Sequence, residues 1–194
     1  MQNFAGKVAV ITGAASGIGK ALTEKCIAEG MHVVMADIEE AVLEKVATEL
    51  QATTNNQVLP IVTNVAIEAE LRKVLDEAME QFGAVHLLFN NAGVGGGGNS
   101  WNATQKDWDW VLGVNLWSVI YGLRVFVPQM LCQSNDIASI WSVLCSAQGI
   151  PHRTGSSDTL FNSQPLRTFS GAVRREEPPP WILPSPMPAA QDTG

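Results

Sequence analysis

The sequence predicts an α/β fold: a doubly wound parallel sheet with helices on both faces, incomplete at its C-terminal side. Three observations carry this. Short β-branched runs alternate with amphipathic helical stretches through the first two thirds of the 194 residues. A glycine-rich turn joins the first run to the first helix. Beyond about residue 150 both periodicities stop and prolines accumulate. Repeated βα units of this length imply parallel strands, because a crossover through a helix returns the chain in the same direction.

The first strand runs from Lys7 to Thr12, with Val8 to Ile11 as an uncharged run suited to burial. A helix follows from Gly17 to Glu29, and Gly30 ends it in the usual C-terminal position. Strand two is Met31 to Ala36. Its helix spans about Glu39 to Gln51, with Val42, Leu43, Val46 and Leu50 as the inward stripe. Strand three is Val58 to Val62. The next helix, about Glu68 to Phe82, turns Leu71, Val74, Leu75, Ala78 and Phe82 inward. Strand four, Val85 to Phe89, leads into Asn90-Asn91-Ala92-Gly93, and a four-glycine loop follows at Gly95 to Gly98. Trp101, Trp108, Trp110 and Trp117 are expected in the core or at a subunit interface. Val111 to Gln133 reads as one long helix with few charges, and Ile137 to Leu144 as a fifth strand.

Composition narrows the function. At 194 residues the chain is long enough for one domain that buries roughly 70% of its unfolded surface. A net charge of −7 argues against nucleic acid and anionic membrane surfaces, and Asp107 and Asp109 among the tryptophans argue against a base-stacking platform. No uninterrupted apolar run reaches ~18 residues, so no membrane span is expected. No basic stretch followed by an apolar segment opens the sequence, so no secretory signal is expected either. Cys26, Cys132 and Cys145 are three, an odd number, and widely spaced, as fits reduced thiols in a cytoplasm. With three scattered histidines and no Cys-x-x-Cys, no metal site is expected.

The chemistry concentrates in the first βα turn. A strand, a glycine turn and a helix start place backbone N–H groups at the positive end of a helix dipole, which suits a pyrophosphate. Strand two ends at Asp37, eighteen positions after Gly19, where a carboxylate can accept ribose hydroxyls. The spacing is T-G-x-x-x-G-x-G, and Thr12-Gly13-Ala14-Ala15-Ser16-Gly17-Ile18-Gly19 resembles the cofactor loop of the short-chain dehydrogenase/reductase family. Asn90 to Gly93 resembles that family's N-N-A-G turn. The resemblance implies a Rossmann-type fold and NAD(P)-dependent oxidoreduction of an alcohol or carbonyl. It implies that Asn90, the first asparagine, ties the sheet together and that Asn91, Ala92 and Gly93 lie along the cofactor. Asn64-Val65 matches the family's Asp-Val pair beside the adenine, with asparagine keeping one carbonyl acceptor. Asn115 matches the asparagine that holds a water near the catalytic lysine, and Ser146 is the candidate for the serine that holds the substrate oxygen. Asp37 would repel a 2′-phosphate, and no Arg or Lys stands at Ser16 or Ile38, so NAD is expected over NADP. Family members self-associate through the long apolar helix.

The resemblance then breaks. The family uses a tyrosine about thirteen residues after the serine and a lysine four further on. Counting from Ser146 gives Thr159 and Ser163, neither of which can serve as proton donor or cation. The only tyrosine is Tyr121, and no lysine follows Lys106. Eight of the ten prolines fall after Ile150, and Pro165 would break a helix placed there. Residues 1–150 are therefore expected to form a dinucleotide-binding domain and 151–194 a disordered Pro-rich tail. A frameshift between about Ser134 and Trp141 would account for the change; a real divergent segment is the alternative. The chain is expected to be inactive, whether a non-catalytic dinucleotide binder or a truncated product, and prone to aggregate.

Overall fold

The computed structural model describes residues 4–96, 99–133 and 139–142. The elements in chain order are β1 (Val8–Thr12), α1 (Gly17–Ala28), β2 (His32–Asp37), α2 (Glu40–Gln51), β3 (Val58–Val62), α3 (Glu68–Phe82) and β4 (Leu87–Asn90). A short 3-10 turn at Ser100–Asn102 follows, then α4 (Gln105–Leu112), a π-helical turn (Gly113–Trp117), α5 (Ser118–Cys132) and β5 (Ser139–Ser142). The strands form one sheet in the order β3-β2-β1-β4-β5, and every pairing is parallel. The rest of the expected fifth strand and residues 151–194 lie outside the described residues.

Strand alternation divides the core in two. Val8 and Val10 join Val34, Ala36 and Ile61 against Leu71, Val74, Leu75 and Ala78 of α3 and Val125, Phe126 and Met130 of α5. Ala9 and Ile11 face the other way, with Val33 and Met35 packed under Cys26 of α1 and Leu43, Val46, Ala47 and Leu50 of α2. Every residue of β1 is buried, as a parallel strand covered on both faces requires. Each large aliphatic side chain so removed from water contributes about 1.5–3 kcal/mol.

Local chemistry sets the boundaries. Gly30 closes α1: its N–H donates to Ile27 O (2.9 Å) and the Met31 N–H to Cys26 O (3.0 Å), the Schellman pattern. Met31 is thereby spent on the helix end, and β2 begins one residue later than expected. Val42 is exposed rather than inward: the α2 stripe is Leu43, Val46, Ala47 and Leu50, and Val42 lies on its flank. β4 begins at Leu87 because Gln133 takes the Val85 backbone in both directions (Val85 N–H to Oε1 2.7 Å, Nε2 to Val85 O 2.8 Å). The long helix starts at Gln105, six residues before the sequence reading placed it. A capping box between Thr104 and Asp107 starts it there, and the π turn at 113–117 interrupts it.

At the sheet edge, the outward-facing N–H of Val58 donates to the Gln51 side chain (2.9 Å), and Pro60 has no N–H to offer. By length and composition Gln105–Cys132 contains a stretch that would suffice to cross a membrane, an 18-residue window of mean hydropathy 1.5. In this fold α5 lies against α3 and β4.

Candidate functional site

The carboxyl ends of β1, β2 and β4 open into one cleft of about 570 Å³. Gly13, Ser16, Gly17, Ile18 and Gly19 of the first turn line it, with Asp37 from β2, Asn64 and Val65 after β3, and Asn91, Ala92 and Gly93 after β4. The crevice beyond the carboxyl ends of a doubly wound sheet is where such folds bind ligands. Thr12 is not part of the wall. It is buried beneath it, and its Oγ1 accepts from the N–H groups of Asn91 and Ala92 (3.0 Å each) while donating to Phe89 O (3.2 Å).

The glycines of the turn answer to different constraints. A Cβ on Gly19 would stand 1.9 Å from Gly13 O and 2.7 Å from Asn91 Nδ2, so helix and turn could not close. At Gly17 a Cβ would meet nothing, but φ is +52°, which L side chains rarely adopt. The space beside Gly17 is the cleft itself. Ser16 precedes α1 without a side-chain cap bond, and the first turn of α1 carries no acidic residue, whereas α2 and α3 begin with Glu40 and with Glu68 and Glu70. A helix N-terminus kept clear of carboxylates fits an anionic group.

Asp37 is held by backbone. Its Oδ2 accepts from Ala15 N–H (2.9 Å), inside the glycine turn, and its Oδ1 from Glu39 N–H (3.1 Å). The acidic residue therefore also shapes the loop. Asn64 Oδ1 accepts from Ala66 N–H (3.0 Å), so one lone pair of that carbonyl is already engaged, and Asn64 N–H donates to Glu70 Oε2.

Of the two asparagines of the N-N-A-G turn, the second takes the sheet-tying role expected of the first and lines the cleft as well. Asn91, the second, ties β4 to β1: its Nδ2 donates to Thr12 O (2.9 Å) and Gly13 O (3.2 Å). Asn90 is buried against Gly122 of α5, and its Nδ2 has no partner among the described residues. The reason is alternation, which points neighbouring side chains to opposite faces of the sheet. Asn115 lies in the π turn, and both ends of its amide grip Val94 (N–H to Oδ1 2.8 Å, Nδ2 to O 2.8 Å). It fastens the segment after β4 to the long helix. Ser146, Thr159 and Ser163 lie outside the described residues.

Sequence reasoning missed Ile38, Glu39, Val94, Trp110 and Val114 as parts of the wall. Trp110 and Val114 are four apart on one helix and share a face, a spacing the sequence displays. The tryptophans do not enter the core: Trp101, Trp108, Trp110 and Trp117 are 43–81% exposed, and neither α4 nor the π turn holds a buried residue. Cys26 is buried under α1. Burial, then the Glu29 charge, pushes its thiol up to about 11, so it is no nucleophile at neutral pH. Among the described residues no group of three His, Cys, Asp or Glu side chains could hold a metal ion.

The family profile described as short chain dehydrogenase matches residues 7–155. A dehydrogenase/reductase of CLA biosynthesis from Lactiplantibacillus plantarum is 34% identical over 155 residues, covering 78% of this chain and 54% of that protein. The crystal structure of a short chain dehydrogenase/reductase from Burkholderia phymatum in complex with NAD superposes with a TM-score of 0.70 at 48% identity. It covers 73% of this chain and 50% of that one. An alcohol dehydrogenase from the archaeon Thermococcus sibiricus, complexed with 5-hydroxy-NADP, gives a TM-score of 0.61 at 28% identity, covering 64% and 53%. The chain spans about half the length of the curated relatives it matches.

Proposed function

The chain belongs to the short-chain dehydrogenase family of oxidoreductases, and from that premise we propose that it binds NAD in the cleft, prefers NAD to NADP, and does not by itself turn over an alcohol or carbonyl substrate. One observation carries the reading: a single cleft collects Gly13, Gly17, Gly19, Asp37 and the segment Asn91 to Gly93. The N-terminus of α1 receives the pyrophosphate through backbone N–H groups. Asp37 accepts from the adenosine ribose while keeping its bond to Ala15 N–H. Asn64 offers its remaining lone pair to the adenine amine. The backbone of Ala92 and Gly93 lies along the cofactor, held by Thr12 and Asn91 below and Asn115 beside it.

Discrimination between the two dinucleotides rests on charge. Asp37 and Glu39 both line the cleft, and no Lys or Arg among the described residues does, so a 2′-phosphate meets carboxylates there without a counter-charge. The nicotinamide, when bound, supplies hydride transfer. The matching proton step needs a positioned acid, whose loss typically lowers rates about 10²- to 10⁴-fold. No tyrosine follows Tyr121 and no lysine follows Lys106 to provide it. Residues 1–150 act as the binding unit in a cytoplasmic setting, and the exposed α4–α5 face is where the chain self-associates or aggregates.

Titration of the purified chain with NAD and NADP tests the binding half. NAD binds more tightly, and Asp37→Ala narrows the difference; tighter NADP binding by the unaltered chain overturns the preference. NADH absorbance with a panel of alcohols and ketones tests the other half. Turnover near ordinary enzyme rates of ~10 s⁻¹, abolished by Gly17→Trp, would show that another residue supplies the proton.

A further inference from the structure

We propose that Trp110 is a binding residue for the adenine base, covering it from the helix side of the cleft. The inference rests on the dinucleotide reading above. Trp110 stands in the cleft wall with Val114, one helical turn further along the same face. The helix comes in close beside residue 66: a Cβ on Gly113 would lie 3.4 Å from Ala66 Cβ. That puts the helix next to Asn64 and Val65, whose amide is the polar group suited to an adenine edge. Ile38 enters the same cleft from the end of β2 and is 59% exposed. Trp110 is itself 52% exposed, in a wall whose polar contacts come from other elements.

Exposed apolar side chains gathered around an amide acceptor suit a flat ring with a polar rim. A pyrophosphate would gain nothing from an indole, whereas a purine stacks on it with its whole ring face. Trp108 and Trp117 flank Trp110 in sequence but do not line the cleft, so the assignment separates one tryptophan from its neighbours.

The test uses the full chain with 5′-AMP and NAD as probes, read by calorimetry and by quenching of indole emission. Trp110→Ala weakens both probes about tenfold, the order expected for one base–aromatic stack. Trp110→Phe keeps a ring and retains most of the affinity. Trp108→Ala, on the same helix, leaves both unchanged and controls for damage to the helix. Trp110→Ala binding 5′-AMP as tightly as the unaltered chain overturns the inference while leaving the dinucleotide reading intact. Equal losses in Trp108→Ala and Trp110→Ala overturn it too, since the helix and not the ring would then matter. An unaltered chain that binds neither probe overturns the dinucleotide reading and this inference with it.

Discussion

On the glycine-turn side of the cleft, polar groups are held by other polar groups of the same chain. Asp37 is fixed by Ala15 and Glu39, and Thr12 and Asn91 lace β1 to β4 through five hydrogen bonds of 2.9–3.2 Å. On the α4–α5 side the polar ties are fewer, Asn115 on Val94, Gln133 on Val85 and the Arg124–Glu68 ion pair, and the outward face carries Leu112, Leu116, Trp117 and Leu123. The first side is finished by local and sheet contacts. The second is left with apolar surface that only further protein, or a ligand, can cover. A hydrogen-bonded polar wall and an exposed apolar one thus face each other across the same cleft.

The largest effect is expected at the junction of turn and helix. Gly19→Ala forces a Cβ against Gly13 O and should destabilise the chain by about 3 kcal/mol, the upper range for forced insertions, and abolish NAD binding. Gly17→Ala meets no atom and should cost about 1–2 kcal/mol through φ alone. Thermal melts of both variants measure the gap; equal losses would erase the distinction between close approach and backbone strain.

Cutting the lacing comes next. Asn91→Ala leaves the buried carbonyl of Thr12 and the half-buried one of Gly13 without that donor, at about 2 kcal/mol. Denaturant midpoints report it, and a loss below about 0.5 kcal/mol would show that β4 is held by its ladder alone.

The helix side should respond in the opposite manner. Leu123→Glu places a charge on the exposed face and should change the melting free energy by no more than about 0.5 kcal/mol. It should nonetheless shift sizing chromatography from associated species towards monomer. A sharp monomer peak from the unaltered chain would mean that this apolar face needs no cover.

The smallest effect concerns the start of α4. Hydrogen bonds from the Thr104 side chain and backbone hold the Asp107 carboxyl below its ordinary 3.8. A lowered folded-state value means that the contribution is present above the ordinary range and disappears as pH falls through the lowered one. Protection of the amides at Thr104 to Trp108, taken relative to the intrinsic exchange rate at each pH, should fall on acidification in the unaltered chain. In Asp107→Asn it should be low at all pH values.

The same division governs what could be read from sequence. β3 and α3 match their expected spans, Val58–Val62 and Glu68–Phe82, because both are bounded by local signals: turn residues before the strand, Gly83 after the helix. The wall residues of the glycine turn and Asp37 were legible because a strand, a glycine turn and a helix start follow one another at a fixed local spacing. The start of β4 was not, since it depends on Gln133, 48 residues away. Nor was the sheet-tying role of Asn91 in place of Asn90, which depends on which face of the sheet each points to. The exposure of the tryptophans was not legible either, because aromatic content signals burial only on average.

One feature of the sheet edge bears on how the chain is made. β1 is first in sequence and central in space; β2 and β3 add on one side, β4 and β5 on the other. By Thr63, whose N–H meets Asp37 O at 2.8 Å, a three-stranded half-sheet is complete. Gln51 and Pro60 have by then closed its outer side to another strand. A nascent chain leaving the ribosome therefore exposes one open edge, the free side of β1, and the next strand to be synthesised is the one that fills it.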